Sequence, residues 1–430
     1  MSLLTALTTG TAGLQANSTE LSIVGDNIAN ANTIGFKAGR AAFQDQLMQE
    51  LMGVEGGGQV GLGARLQAVQ RIITQGALTT TGLATDLALD GAGFFVLKGV
   101  HAGIQGQFFT RAGQFTVDKD GFLTSLDGLR VQGYSNDAAG NPLGTLGDLQ
   151  VGNATAVAKP TANITIKANL DSDAALKVYD PLNPVASSNA QSSVVAYDSL
   201  GKAYAVDIFY THTATGTWEW HATTDGANIA GGTAGTPSEI ASGTLNFDTD
   251  GKLLSEAQSS NFTPLNATAP QPLTFNVGDP LSAATPGTGL VGITQFQAAS
   301  ATTFTGQDGA PYGALTNVQI NNKGEVVGAF TNGTVRTLGQ VAVADFQAAD
   351  RLTRSGGNLL QESLESGQAT IGAPAEGGRA SVKAGALEQS NVDLAGEFVR
   401  MIAAQRGFQA NSKTITTADQ LLQELMQLKR

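Results

Sequence analysis

The chain has 430 residues, a formal net charge of −12 and only 14% charged residues, so its surface is unsuited to nucleic acid or an anionic membrane. It contains no cysteine, which excludes disulfides, so packing or contacts with neighbouring molecules must hold it together. The 54 glycines and the low aromatic content of 6% are typical of turn-rich β modules.

The first 36 residues contain no lysine or arginine, and the first basic residue is Lys37. A cleaved secretory signal starts with a basic region, so the sequence does not predict one. A run of about 18 apolar residues is absent, so we expect no membrane insertion. We therefore expect a cytosolic protein, or one that leaves the cell by a route that uses no cleaved signal.

Apolar residues spaced seven apart predict a helix at the N-terminal end, and this spacing is the signature of a coiled coil. The residues in this repeat are Leu7, Leu14, Leu21 and Ile28, with Val24 in the other apolar position. The following "NANTIG", 30–35, favours a helix end, because Asn and Gly tolerate the left-handed conformation. Phe36 is then expected to anchor the next segment, and Lys37 to lie near the negative end of the helix dipole.

The next segment, "FQDQLMQELM" from Phe43 to Met52, predicts a short helix, and Gly53 to Gly63 predicts a flexible run. Beyond it, short alternating runs with Asp-Gly turns at Asp90, Asp120 and Asp127 predict β-strands. A second set of strands is predicted near 315–346, where Lys323-Gly324 and Asn332-Gly333 form turns.

Between these two sets lies a segment of different composition, since no arginine occurs between Arg130 and Arg336. Its "SSVVAYDSLGKAYAVDIFYTHTATGTWEWHATT" predicts several strands, with Trp218 and Trp220 on one face of the third. We interpret roughly 165–305 as an all-β domain inserted into a loop of the first β domain.

The C-terminal end again shows a spacing of seven, and Ser390 and Asp393 match the start of a capping box. The repeat comprises Leu387, Leu394, Met401, Phe408, Ile415 and Leu422, joined by Phe398, Leu425 and Leu428. Both terminal helices contain glycines, each of which lowers helix stability by roughly 1 kcal/mol; these are Gly10, Gly13, Gly25, Gly396 and Gly407. We therefore predict that both ends are disordered in a free monomer and become helical when packed on each other and on neighbouring subunits. Ordinary amphipathic helices on a globular core are the alternative.

The candidate motifs for chemistry are weak. Gly56 to Gly61 fits G-x-G-x-x-G but follows a predicted helix and not a strand, so we interpret it as a loop. "DKDG" at Asp118 and "DTDG" at Asp248 lack the distal Glu of a calcium loop and are interpreted as hairpin turns. The sequence thus predicts no enzyme, no catalytic residue, no cofactor and no metal.

The three histidines give no stronger signal. His212 and His221 could lie near each other on neighbouring strands, and His101 is distant in sequence. A metal site at the pair would lack a third ligand, so surface or core histidines are the favoured interpretation.

Four blocks of sequence resemble the rod and hook group of bacterial flagellar axial proteins. They are "NIANANTIGFK" (27–37), "QGALTTTGLATDLALDGAGFFVL" (75–97), "FTRAGQFTVDKDGFL" (109–123) and the C-terminal segment from Ser390. Distal rod proteins of this group are compact, so a chain of 430 residues with an inserted domain is more similar to the hook proteins. A distal rod protein, and an extracellular adhesin or enzyme with the insertion as its working part, remain the alternatives.

The resemblance implies an α+β, predominantly β fold with nested domains. The terminal helices, 1–35 with 386–430, would pair as a coiled coil and line an inner tube. Residues 36–80 would connect them to a β domain, 81–164 with 306–385, into which the outer all-β domain 165–305 is inserted. Candidate hinges are the run from Gly53 to Gly63 and the ends of the insertion near Pro160 and Pro311.

The resemblance also implies self-assembly into a curved, hollow helical tube that transmits torque as a universal joint. Its partners would be further copies, distal rod, hook cap and hook–filament junction proteins, and the type III export apparatus, which would place the chain outside the cell. The residues expected to pack the inner tube are Leu7, Leu14, Leu21, Ile28, Leu394, Met401, Phe408, Ile415 and Leu422. The residues expected to set the exit of the chain from the tube are Asn27, Asn30, Gly35 and Phe36.

Overall fold

The computed structural model describes residues 3–46, 49–50, 59–137, 140–265, 270–282 and 287–428. The chain divides into two compact units. Unit 1 comprises Met1–Ala154, Asn317–Gly328 and Val335–Arg430, and unit 2 comprises Thr155–Thr316 and Ala329–Thr334. Strands predominate, with long helices at the two ends, so the predicted α+β, mainly β class is confirmed. The finer division into four domains stays a prediction.

The helices and strands lie in the predicted order of helix, β region and helix. The helices are α1 (Leu3–Ala29), α2 (Pro184–Ser187) and α3 (Leu394–Leu428), with short 3-10 turns at Gly226–Asn228 and Ala349–Arg351. The first strands are β1 (Gly39–Asp45), β2 (Gln49–Glu50), β3 (Gln59–Val60), β4 (Ala64–Arg71), β5 (Leu78–Thr80), β6 (Leu87–Asp90), β7 (Phe94–His101), β8 (Ile104–Thr110), β9 (Phe115–Val117), β10 (Leu123–Ser125), β11 (Arg130–Asn136) and β12 (Pro142–Asp148).

The following strands are β13 (Thr155–Ala156), β14 (Asn163–Asn169), β15 (Ala190–Tyr197), β16 (Ala203–Ala214), β17 (Thr217–Asp225), β18 (Pro237–Phe247), β19 (Leu253–Ser260), β20 (Thr274–Asn276), β21 (Ile293–Thr294) and β22 (Ala301–Gln307). The last are β23 (Gly313–Ile320), β24 (Glu325–Phe330), β25 (Val335–Val341), β26 (Val343–Asp345), β27 (Thr353–Gly356), β28 (Leu359–Gln361), β29 (Thr370–Gly372), β30 (Ser381–Ala384) and β31 (Ala386–Glu388).

Unit 1 is built around an antiparallel sheet in which β25, β11, β7, β8, β28 and β27 lie side by side in that order. Its core is aromatic: Phe94, Phe95, Phe108 and Phe109 are fully buried. Because β7 is covered on both faces, "FFVL" is a continuous apolar run and not an alternating one.

Unit 2 contains a five-stranded antiparallel sheet, β15 to β19 in sequence order, and a four-stranded sheet in which β14 pairs with β20, β21 and β22. Trp218 and Trp220, two residues apart on β17, both point into one buried apolar cluster. The predicted set of strands and the shared face of the two tryptophans are therefore confirmed.

The predicted helix from Phe43 to Met52 is wrong where the structure describes it. Phe43 to Asp45 end strand β1, which pairs antiparallel with β4 and has a bulge at Ala42/Phe43. Gln49–Glu50 pairs with Gln59–Val60. Strand pairing overrides the high helix propensity of Gln44, Gln49 and Glu50 here. The remaining residues of the predicted helix, and most of the glycine run that follows, lie outside the described residues.

Candidate assembly site

The two terminal helices pack against each other and run antiparallel. Gly10 of α1 faces Ile415 of α3, Gly13 faces Asn411, and Asn17 faces Gly407, so the number rises along one helix as it falls along the other. Helices of opposite direction joined along most of their length form a two-helix unit. Its supercoiling as a coiled coil stays a prediction.

Two columns of residues, each with a spacing of seven, run along the facing sides of the pair. The large apolar column is the one predicted from the sequence: Leu7, Leu14, Leu21 and Ile28 on α1, and Leu394, Met401, Phe408, Ile415 and Leu422 on α3. The central column lies three residues further on: Gly10, Asn17 and Val24 on α1, and Glu397, Ala404, Asn411 and Ala418 on α3. Most members of the central column are buried, whereas no member of the large apolar column is.

The large apolar column therefore lies at the flank of the helix pair and not at its centre. Leu394 and Phe408 are 43% and 39% exposed, and the other seven members are half-buried. Small residues in the central column let the helices approach closely, and this leaves the larger side chains only partly covered. Part of each large side chain thus remains free to contact another molecule.

Three predicted details of α3 are wrong. The helix begins at Leu394, and Asp393 caps it, since the Ala395 N–H donates to the Asp393 carboxylate; Ser390 lies upstream. Leu387 belongs to strand β31 and is buried there. Phe398 is 50% exposed and lies outside both columns, and the side chains of Leu425 and Leu428 fall outside the described residues.

Three of the five glycines that were expected to lower helix stability lie where α1 and α3 approach each other closely. A Cβ atom at Gly10 would lie 2.9 Å from Cγ1 of Ile415, one at Gly13 2.6 Å from Nδ2 of Asn411, and one at Gly407 2.7 Å from Oδ1 of Asn17. Real Cβ atoms avoid such distances, so a larger residue would force the facing side chain to move. This is easier for the terminal amides of Asn411 and Asn17 than for the branched Ile415 that faces Gly10. At Gly25, by contrast, an added Cβ would meet nothing within 4 Å.

A cluster of charged residues lies near the N-terminal end of α3, where this helix packs against α1. Glu397 is 6% exposed, its Oε1 accepts a hydrogen bond from Arg400 at 3.2 Å, and its Oε2 is buried without a partner in the described residues. Burial raises the pKa of Glu20 on α1; Arg400 lowers that pKa and Glu397 raises it. The first turn of α3 favours the negative charge of Glu397, but the sequence pattern did not indicate that this residue belongs to the contact.

The four predicted exit residues follow α1 directly. The side chain of Asn27 is buried and exchanges two hydrogen bonds of 2.8 Å with the backbone of Gly39, so it ties the helix to strand β1. Asn30 donates to the backbone oxygen of Asp26 at 2.9 Å and accepts from the Thr33 hydroxyl at 3.1 Å. These bonds replace the helical ladder where α1 ends.

Gly35 and Phe36 turn the chain toward the β-sheet. Gly35 has a φ of +69°, and a Cβ there would lie 2.5 Å from the backbone nitrogen of Ala112, so no other residue fits. Phe36 is 5% exposed, and the guanidinium carbon of Arg354 lies 5.1 Å from the centre of its ring. A cation over an aromatic face is a stabilising contact. That these residues set the exit from a tube stays a prediction.

Beside them lies a buried polar and charged group, which the sequence pattern indicated only in part. We call it the exit cluster, and its members are Asn27, Lys37, Arg111, Glu388 and Asn391. Glu388 is fully buried, and its carboxylate pairs with Lys37 at 2.5 Å and with Arg111 at 3.0 Å. The Gly76 N–H donates to the same carboxylate at 2.8 Å, and the Gly35 N–H donates to the Glu388 backbone oxygen at 2.8 Å. Lys37 therefore pairs with Glu388, a partner that the sequence did not indicate, and its predicted effect on the helix dipole stays a prediction.

Asn391 completes the exit cluster just before α3. Its Oδ1 accepts from the Ala38 N–H at 2.8 Å, and its amide donates to the backbone oxygens of Ile72 and Thr74 at 2.8 and 3.0 Å. One side chain thus joins the segments that follow α1, follow β4 and precede α3. As a result, both terminal helices leave the β domain from the same fixed place.

In the described residues, the Asp-Gly motifs form turns and the histidines lie in separate contacts. Asp118 accepts from the N–H groups of Asp120 and Phe122, and Asp248 from those of Asp250 and Lys252, so both are turns, as predicted. Each histidine has its own partner: His212 stacks on Trp218, His221 on Tyr179, and His101 contacts the Ser355 backbone oxygen. The described residues contain no group of three or more His, Cys, Asp or Glu able to hold a metal ion. The fragment Gly56–Gly58 of the G-x-G-x-x-G motif lies outside them.

Family models match the chain in order along most of its length. The Flagella basal body rod protein model matches residues 7–37, and the Flagellar hook protein FlgE/F/G D1 domain model matches 88–174. The Flagellar basal body protein FlaE D2 domain model matches 169–310, and the Flagellar basal body rod FlgEFG protein C-terminal model matches 383–428. The first and last models cover most of α1 and α3.

Full-length relatives decide the assignment. The flagellar hook protein FlgE of Borreliella burgdorferi is 37% identical, and the match covers 99% of each chain. The FlgE of Escherichia coli K12 is 33% identical over 99% of this chain and 100% of its own. The chain belongs to the flagellar hook protein FlgE family. The FlgE family is one of structural hook proteins and not of enzymes, which favours the hook interpretation over a rod protein, an adhesin or an enzyme.

The Treponema pallidum FlgE, 33% identical over 99% of both chains, agrees with this assignment to the FlgE family. A crystal structure of Helicobacter pylori FlgE2 covers 71% of the chain with a TM-score of 0.47 and 16% identity, values too low to add to it. Among the described helices, none is long and apolar enough to cross a membrane.

Proposed function

We propose that this chain is the repeating subunit of a curved, hollow helical tube in which α1 and α3 form the inner wall. The observation that carries the proposal is the large apolar column, which one partner helix covers only in part. Several further apolar residues on α3 are exposed: Phe398, Val399, Ile402, Leu421 and Met426. An exposed apolar surface of this kind is typical of an interface.

Membership of the FlgE family supports the rest of the proposal. The tube would join the flagellar rod to the filament and act as a universal joint, with hinges at the run from Gly53 to Gly63 and near Pro160 and Pro311. Its contacts would be head-to-tail between identical copies, because such contacts do not close and so give a filament. Distal rod, hook cap and hook–filament junction proteins would be its neighbours, and the type III apparatus would export it to the outside of the cell.

Replacing Met401 by glutamate should abolish tube formation and leave both β units folded. Met401 is half-buried on the flank of the helix pair, so a charge there would be taken out of water when a neighbour covers it. The purified chain is brought to assembly-promoting salt and examined by negative-stain electron microscopy, where the wild type should give short curved tubes. Gln409→Glu, at an exposed position further along the same helix, is the control and should still assemble. Normal tubes from the Met401 variant would show that this column does not line the wall.

The isolated subunit should lack stable terminal helices. In the described part of the chain each terminal helix packs on one other helix, with glycine and alanine at the centre of that contact, and α1 also contacts β1 and β4. This is little apolar burial for the number of residues that the two helices order. Solution NMR of the monomer should therefore show fast amide exchange over α1 and α3 and protection in the β units. Protected helical amides at both ends of the monomer would refute assembly-coupled folding.

A further inference from the structure

A cavity of about 500 Å³ lies in unit 1 between the end of α1, the β-sheet and the turn that joins β27 to β28. Its floor is apolar, with Phe94, Leu97 and Leu360 buried, and four cationic side chains line it: Lys37, Arg71, Arg111 and Arg354. Arg71, Arg111 and Phe94 also line an adjoining cavity of about 530 Å³. A cavity with apolar walls and a few charged groups is the usual form of a binding site.

Three of these four cations form ion pairs with carboxylates of the chain. Glu388 pairs with Lys37 and Arg111, and Asp26 pairs with Arg354 at 2.9 Å. Asp127, which also lines the cavity, makes no ion pair with Arg71, and Asp350 acts on Arg71 only from beyond ion-pair distance. In the described part of the chain, Arg71 is thus left without a carboxylate partner.

Two guanidinium groups at this cavity have N–H donors with a distant hydrogen-bond acceptor or with none in the described residues. Arg71 is half-buried, and its one hydrogen bond, from NH1 to the Leu352 backbone oxygen, is long at 3.4 Å. Arg111 is only 3% exposed, and its Nε is buried with no hydrogen-bond partner. Burial and the nearby Arg354 lower the pKa of Arg71 to about 10, although Asp350 raises it. A partly buried cation without an ion-pair partner, such as Arg71, is unfavourable, and the planar geometry of a carboxylate matches that of a guanidinium.

We propose that this cavity is the docking site for an Asp or Glu side chain of a second copy of this chain, with Arg71 as its ion-pair partner. The proposal rests on the proposed function, since a polymer holds neighbouring copies against each other at high effective concentration. The chain carries 36 acidic against 24 basic residues, so a second copy presents an excess of carboxylates. The volume and apolar floor suit a side chain with a hydrocarbon stem better than a lone inorganic anion.

Arg71→Glu in the full chain should raise the critical concentration for tube formation by about tenfold or more, as expected for loss of a charge-assisted hydrogen bond. Arg40→Glu is the matched control, because Arg40 lies on the paired strand β1, is exposed and bonds only to Gln70 in the described residues. Neither variant should be less stable than the wild type as an isolated subunit, because Arg71→Glu removes a cation that has no carboxylate partner there and Arg40 is exposed.

Arg71→Lys identifies the partner carboxylate directly. Tubes are assembled from equal amounts of ¹⁵N-labelled and unlabelled variant and treated with a carbodiimide, which condenses a carboxylate with the adjacent lysine amine. Mass spectrometry should find the new lysine joined to an Asp or Glu peptide of the other isotope. A link only within one chain would overturn the proposal.

The remaining outcomes are also decisive. Tubes that form equally well from wild type and Arg71→Glu overturn the docking proposal alone. Stabilisation of the isolated wild type but not of Arg71→Glu by inorganic phosphate, with unchanged assembly, assigns the cavity to a free anion and overturns the proposal too. If the wild-type chain forms no tubes at all, the proposed function fails, and the docking proposal fails with it.

Discussion

Replacing Glu388 by glutamine should lower the free energy of unfolding of unit 1 by about 3–5 kcal/mol, the usual effect of removing one partner of a buried ion pair. The carboxylate is fully buried and compensates two cations, Lys37 and Arg111, so the glutamine leaves both without an opposite charge. The Gly76 N–H also loses its charged acceptor. Because the exit cluster joins three segments, the loss should loosen the end of α1 and the start of α3 together.

The pH dependence separates lost charge compensation from a simple loss of hydrogen bonds. Burial lowers the pKa of Lys37 from 10.5, and Glu388 raises it in part. The folded amine then releases its proton more readily than the unfolded one, so the unfolded state binds more protons between the folded pKa and 10.5. Stability therefore rises with pH through that window. Without the charge of Glu388 the pKa of the folded Lys37 falls further, so stability rises over a wider pH range. The loss of unfolding free energy in Glu388→Gln should therefore become smaller as the pH is raised.

Hydrogen exchange over residues 35–39 and 386–391 measures this effect within unit 1. Both tryptophans, Trp218 and Trp220, lie in unit 2, so their fluorescence reports on that unit separately. Glu365→Gln is the control, because its pair with Arg351 is largely exposed and should contribute less than about 1 kcal/mol. An effect of Glu388→Gln no larger than that of the control would mean that the cluster does not stabilise the exit.

A spacing of seven predicts the terminal helices from the sequence, but it predicts only part of the contact between them. The repeat identified α1, α3 and the large apolar column from the sequence alone, because large apolar residues dominate that signal. Of the central column it identified only Val24. The members of that column at the closest approach, Gly10, Asn17 and Asn411, carry no hydrophobic signal, and their role depends on the second helix, which lies at the other end of the chain.

The exit cluster was also predicted only in part. Asn27 and Lys37 stand in a conspicuous motif, whereas Glu388 and Asn391 belong to the cluster through contacts with residues more than 300 positions away. A usable signal was present: in a chain with only 14% charged residues, Lys37 and Arg111 are isolated charges within conspicuous sequence blocks. A buried cation requires a carboxylate, but sequence alone does not say which one.

The predicted helix at Phe43 is wrong because the local sequence favours a helix that the pairing of strands does not allow. Its Gln, Leu and Met residues favour a helix locally, but β1 gains a complete antiparallel partner in β4, and both strands contact α1. Local propensity is a weak tendency of a few tenths of a kcal/mol per residue, and paired strands override it.

Replacing Gly10 by leucine should prevent tube formation while the β units stay folded. A Cβ alone at this buried position would lie 2.9 Å from Cγ1 of Ile415, so a leucine must push α3 away or displace Ile415. Overpacking of this kind costs about 1–3 kcal/mol in a well-packed core. Every subunit would carry the misfit, and a displaced α3 would also move the large apolar column away from the neighbours it is proposed to contact.

Gly25→Ala is the matched change on the same helix, and its effect should have the opposite sign. An added methyl there meets nothing within 4 Å, so only helix propensity acts, and α1 should gain up to about 1 kcal/mol. Critical concentrations from sedimentation compare the two variants with Gly10→Ala, which should fall between Gly10→Leu and the wild type. If glycine at both positions acted only through helix propensity, both alanine variants would assemble better than the wild type. That result would mean that the close approach of α1 and α3 at Gly10 is not the contact that the tube uses.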